Sequence, residues 1–332
     1  MRRVSLLELV GDAPAVAMLG MCKNAGKTTA LTHLVREYAR AGVPLALTSI
    51  GRDGESRDLV TGTEKPPIFL YQGMLAATAE QLLGLCDVSR EILAVTDIHT
   101  SLGRVVIFRA RSDGFVQLAG PAMVEQLAPL RRELMALGAD RFLIDGALSR
   151  RSPAVGVSDG ACVLSTGASL DRDMPSVAAE TAFAAALLTL PRLAGVARYP
   201  ARFAVLRGED AASCETPEEL LSVLKGGGER LVSLSGALTE RQASGLLRSG
   251  APLEGLTRLA EDGSRFLLRR ETFEKLRLRG ARFRARSGAR LAAVTANPVS
   301  AGGWRFDREA FLEALRRTCS VPVLDLGRAE WN

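Results

Sequence analysis

The chain has 332 residues, 47% of them apolar, with a formal net charge of +6. That is enough apolar material for one large or two ordinary packed domains, and it excludes a disordered chain. No apolar run reaches the roughly 20 residues of a membrane helix. Arg2-Arg3 is followed by Glu8 and Asp12 instead of an apolar secretory segment. The five cysteines (22, 86, 162, 214 and 319) form no C-x-x-C pair, so reduced thiols, a cytoplasmic location and no membrane partner are expected.

Taken in order, residues 15–19 form an apolar run that reads as a buried strand, followed by a small polar loop, Gly20 to Gly26. Lys27-Thr28-Thr29 then open a segment with apolar residues at 30, 31, 34, 35 and 38, which is helical spacing. A second strand is expected over 45–50 and ends in the polar loop 51–55. Residues 56–72 are rich in turn residues and read as loop. A helix is expected over 74–86, then strands over 92–96, 103–110 and 114–119. A further helix spans 121–137, a strand 141–144, a loop 147–160, a strand 161–165 and a helix 176–190. From about 195 the alternation restarts, with strands at 203–206, 230–234, 264–268, 281–285, 290–295 and 321–325. Helices are expected at 217–225, 239–248, 271–279 and 307–317.

Strands alternating with helices predict an α/β fold with a mostly parallel sheet flanked by helices. The expected division is a P-loop NTPase domain over 1–194. Residues 195–332 would form a smaller α/β domain, or continue the same sheet and close over a nucleotide.

Strand, glycine loop, Gly-Lys-Thr and helix is the phosphate-binding arrangement of P-loop NTPases. Loop and helix N–H groups face anionic oxygens. The expected phosphate contacts are Lys23, Asn24, Ala25, Gly26, Lys27, Thr28 and Thr29, with Lys27 on the β- and γ-phosphates. The Thr28 hydroxyl would ligate Mg²⁺. The match is not strict, because Met21 stands where the G-x-x-x-x-G-K-T pattern has glycine. Lys23 adds a cation, as in the deviant loops of the MinD and dethiobiotin-synthetase group, although the spacing differs by one. Cys22 reads as a small residue that fits the loop.

Phe142-Leu-Ile-Asp145 has the form of a strand ending in a Mg²⁺-holding carboxylate, so Asp145 is the second metal ligand. Asp53, with Glu55 in reserve, is the candidate that orients an attacking water; a solvated Asp-Gly turn is the competing account. Asn297 ends a strand before Pro298 and can offer a nucleobase both a donor and an acceptor, or simply start a turn. Asp97 and His99 miss the cobalamin pattern D-x-H-x-x-G by one residue. Five of the 43 basic residues are lysines, and three of these are 23, 27 and 65. The densest basic run, Arg265 to Arg290, is interleaved with Phe266, Phe273 and Phe283. It reads as a surface facing a partner protein in preference to nucleic acid.

The segments 22–29, 48–55, 61–66, 144–150 and Asn297-Pro298 together resemble the ATP-binding subunit of the lysine 5,6-aminomutase reactivase. The resemblance implies an ATP- and Mg²⁺-dependent ATPase in which Lys27, Asp53 and Asp145 carry the chemistry. Its partners would be a second reactivase subunit and an adenosylcobalamin-dependent aminomutase. Two other functions remain open from sequence: a small-molecule kinase or ligase of the dethiobiotin-synthetase kind, with Arg52 and Lys65 as substrate contacts, and a GTP-dependent metallochaperone.

Overall fold

The computed structural model describes residues 4–50, 67–146, 159–225 and 228–327. The chain opens with a short helix, α1 (Leu6–Val10), then β1 (Ala15–Gly20), α2 (Lys27–Arg40) and β2 (Leu45–Ser49). Next come β3 (Ile68–Leu70), β4 (Leu75–Ala79), β5 (Arg90–Thr100), β6 (Gly103–Ala110) and β7 (Gly114–Val116). Helix α3 (Leu127–Ala136), β8 (Arg141–Asp145), β9 (Ala161–Gly167) and α4 (Met174–Leu188) follow. A second series holds β10 (Phe203–Arg207), β11 (Asp210–Cys214), α5 (Pro217–Leu224), β12 (Arg230–Leu234), β13 (Leu238–Thr239) and α6 (Glu240–Arg248). It continues through β14 (Leu256–Ala260), β15 (Phe266–Leu267), α7 (Arg270–Leu278) and β16 (Arg282–Ala285). The chain then returns as β17 (Arg290–Asn297), α8 (Arg308–Thr318) and β18 (Val323–Leu324).

The protein is α/β, with a nine-stranded sheet in the order β18-β17-β9-β1-β8-β2-β4-β6-β5. From β18 to β4 every neighbouring pair is parallel; β6 runs antiparallel to both β4 and β5. Every residue of β1 and β9 is buried, which explains why their sequences are continuous runs without the alternation of a half-exposed strand. Helix α2 buries Ala30, Leu31, Leu34, Val35 and Tyr38. That is one stripe at a 3.6-residue period, and it joins Val16, Met18 and Val163 in one apolar core.

Contacts divide the chain into two compact units, one running to Ala182 and resuming at Ala289, the other Phe183–Gly288. This differs from a boundary at 194/195. The smaller unit is an insertion, and the last strands belong to the first sheet. Strand β17 pairs along its length with β9, Thr295 opposite Ser165 and Asn297 opposite Gly167. Thr295 Oγ1 and Ser165 Oγ, both buried, share a hydrogen bond of 2.8 Å. The second unit has its own five-stranded sheet, β11-β10-β12-β14-β16, and its own apolar core around Phe203, Val232, Phe266 and Phe283.

Several elements depart from the expectations. Residues 75–79 are a strand, not the start of a helix. All five are buried between β2 and β6, and a short apolar run carries no period that separates the two states. Residues 80–85 form a 3₁₀ turn. The helix expected from Pro121 starts at Leu127, after a 3₁₀ turn over 124–126. Strands β3, β11 and β14 arise in segments that read as loop or had no expected element. His99 lies in β5, with its Nδ1 3.0 Å from the Asp97 carbonyl. No helix of the described residues is long and apolar enough to cross a membrane.

Candidate functional site

Five strand ends converge at the carboxyl edge of the large sheet, where parallel α/β sheets hold their ligands. Strand β1 delivers the candidate loop. Met21 extends the strand by one hydrogen bond, its N–H donating to the Ser165 carbonyl at 2.8 Å. The chain then turns through Asn24, which has φ 60°, and Gly26, which has φ 90°. Asparagine tolerates the left-handed region and glycine enters it freely. Gly26 is also crowded, since a Cβ there would lie 3.2 Å from Asn297 Cβ. Ala25 is buried, while Lys23 and Asn24 are exposed.

Gly26 is the N-cap of α2, and no side chain caps this helix or places an acid in its first turn. The first N–H groups of a helix have no intrahelical partners and carry the positive end of the macrodipole. Lys27, Thr28 and Thr29 occupy that turn. Uncapped helix starts of this kind are where anions bind in other proteins.

Asp145 ends β8 on the adjacent strand. It stands opposite Met18 on one side and Ser49 on the other, with its side chain 7% exposed. Lys27 Nζ donates to Asp145 Oδ1, forming an ion pair between the helix start and the strand end. The local fold fixes this meeting: Gly146 N–H donates to the Met18 carbonyl at 3.0 Å, and Ile50 N–H to the Asp145 carbonyl at 3.1 Å. Together these bonds hold β1, β8 and the end of β2 in register.

Asn297 reaches the loop from the other side. Its Nδ2 donates to the Asn24 carbonyl at 2.9 Å, and its Oδ1 accepts from Val299 N–H at 3.1 Å. The first bond braces the turn and the second forms an Asx turn. No closure of a separate domain is needed to bring Asn297 there, contrary to the expectation, because β17 is itself part of the sheet. One N–H and one lone pair of the amide remain for a ligand.

No protein-family model, curated protein or solved structure matches the chain.

The geometry therefore speaks through its residues. Lys27, Asp145 and Asn297 meet at one edge with Asn24, Ala25, Gly26, Thr28 and Thr29. Asp53 and Glu55, with Arg52 and Lys65, lie outside the described residues. Among the described residues no group of three or more His, Cys, Asp or Glu side chains could hold a metal by itself. Asp145 and the Thr28 hydroxyl are oxygen donors of the kind that a hard cation takes together with phosphate and water. Burial pushes the Cys22 thiol above its ordinary pKa, which leaves little reactive thiolate near neutral pH.

Sequence reasoning missed several groups at this edge. Ser49 Oγ donates to the Leu118 carbonyl at 3.0 Å and accepts from Gly120 N–H at 3.1 Å, so the 118–120 segment is held at the end of β2. Ser169, Arg172 and Trp304 follow β9 and β17. The signal that points to them is positional, because residues just past parallel strands line such sites.

Proposed function

We propose that the protein is a Mg²⁺-dependent ATPase of the P-loop kind, with its phosphate site built from residues 20–29 and Asp145. One observation carries the reading: the cation at the start of an uncapped helix and the carboxylate at the end of the neighbouring strand meet in an ion pair. Bound phosphates would draw Lys27 away from Asp145 and take up the free N–H groups of the first α2 turn. Asp145, with Thr28, would then hold Mg²⁺, which supplies charge neutralisation on the β- and γ-oxygens. Asp53 would orient the attacking water, a role that rests on the sequence alone.

The finer reading follows from the resemblance. The protein would work with a second reactivase subunit to restore an adenosylcobalamin-dependent aminomutase, ATP turnover driving release of damaged cofactor. Such coupling requires that the ATP and ADP forms bind the mutase with different affinity.

The test is ATP binding and turnover by the full chain. Lys27→Ala should abolish ATP binding while the circular dichroism spectrum is kept; normal binding would refute the phosphate site. Asp145→Asn should retain ATP and lose at least about tenfold of the Mg²⁺-dependent rate. Stimulation of turnover by an aminomutase supports the reactivase role. Stimulation by a small metabolite alone favours the dethiobiotin-synthetase kind of chemistry.

A further inference from the structure

The carboxyl edge of the sheet carries an aromatic group that the phosphate chemistry does not use. Strands β9 and β17 end side by side at Gly167 and Asn297. The segments beyond them are tied together. Ala168 N–H donates to the Asn297 carbonyl at 2.9 Å, and Ala301 N–H donates to Ser169 Oγ at 3.2 Å. Trp304 Nε1 donates to the Ala168 carbonyl at 3.0 Å. The indole is thereby anchored to the strand ends that brace the candidate loop through Asn297.

Trp304 is half-buried, and the exposed Arg172 holds its guanidinium over the indole, 4.9 Å from the ring centroid. Gly302 packs close to the ring: a Cβ there would fall 1.9 Å from Cζ3. With its single N–H satisfied, the indole offers only its π surface, and the exposed guanidinium lying over it extends that surface outward as a planar cation. Indole and guanidinium planes are the groups on which nucleobases stack.

Direction follows from strand order. Strands β8 and β9 flank β1 on opposite sides. Asp145 fixes the metal and terminal-phosphate end on the β8 side. A nucleotide with its phosphates on the α2 N-terminus then extends its base toward β9 and β17. Asn297 spends one N–H and one lone pair of its amide on the chain itself and keeps the others for the edge of the base, while the face of the base meets the next surface outward.

We propose that Trp304 and Arg172 form the base shelf of the site, a purine stacking on the indole–guanidinium pair. This rests on the nucleotide reading above and names the part of the ligand that reading leaves unassigned.

The experiment compares Mg²⁺-ATP with Mg²⁺-tripolyphosphate, which has the phosphate chain but no base, on the full-length protein. Trp304→Ala should weaken ATP binding about tenfold, as loss of one stacking partner does, and leave tripolyphosphate unchanged. Trp304→Phe should recover most of the ATP affinity. Unchanged ATP affinity in a folded Trp304→Ala variant overturns the shelf and leaves the phosphate site standing; so does equal loss of both probes, which would make Trp304 a prop of the loop. Wild-type protein that binds neither probe overturns both readings. Should Trp304→Ala fail to fold, Trp331→Phe leaves Trp304 as the sole indole. Quenching of its fluorescence by ATP but not by tripolyphosphate supports the shelf, and absence of that difference overturns it.

Discussion

In the first unit Lys27 meets a carboxylate at the open end of a sheet, next to a helix terminus with unpartnered N–H groups. In the second unit most of the cations are arginines, and several end on backbone carbonyls. Arg230 donates to Gly228 at 2.9 Å, to Pro252 at 2.9 Å, to Glu254 at 3.3 Å and to Leu224. Arg286 holds Val196, Ala197 and the Ser233 hydroxyl. Arg279 holds the Leu247 carbonyl at 2.8 Å. A planar guanidinium with five donors can tie several carbonyls at once, which an ammonium does less well. Arg279 and Arg286, from the arginine-rich run, thus take part in joining elements of their own unit. Arg258 stands apart: it is 1% exposed, lies over the Phe283 ring at 5.3 Å, and neither terminal nitrogen has a hydrogen-bond partner. Burial pushes its pKa down to about 10, so it remains charged throughout the neutral range. The contrast is between a cation placed where an anion can compete for its partner and cations closed into the framework.

The strongest way to break this contrast is Arg230→Ala. Four carbonyls would lose their donor in a buried place, and a destabilisation of about 3 kcal/mol or more is expected in denaturant unfolding. A loss below about 1 kcal/mol would mean that the arginine is not a fastener. Arg258→Met should act in the opposite direction. Replacing an unpaired buried charge by an apolar side chain of similar length is expected to stabilise by about 1–3 kcal/mol, read as a higher unfolding midpoint at unchanged slope. Destabilisation would show that the guanidinium is compensated. Gly26→Ala is expected to cost about 1–2 kcal/mol, because it imposes a left-handed backbone on a residue with a Cβ and crowds Asn297. The same variant should lose phosphate binding, which sharpens the distinction, since framework variants in the second unit should leave it intact.

The loop, α2 and the strand ending in Asp145 were legible because their signals are local: an apolar run, a small-residue turn, then a helical stripe. The pairing of Lys27 with Asp145 spans 118 residues, and no pattern in either segment encodes it. Strand β4 was misread because Leu75-Ala-Ala-Thr-Ala79 suits helix and buried strand alike until its neighbours on the sheet are known. Strand β14 was missed because Thr257 and Arg258 interrupt its apolar residues. Whether the chain returns to the first sheet was left between two alternatives, because hydrophobic period identifies β17 as a strand without saying beside which strand it lies. Asn297 was singled out from a dipeptide as a base reader, and its bond to the loop backbone gives it a further role that only the strand order reveals.

That bond joins residues 273 positions apart, with the whole Phe183–Gly288 unit between the strands that create it. During synthesis the loop, α2, β8 and β9 all leave the ribosome long before β17 exists. Contacts of such sequence separation form late, after the entropy of closing a long loop has been met. The Asn24 turn therefore gains its brace only when β17 has inserted beside β9, so that a nascent chain still lacking β17 carries the candidate loop without its clasp.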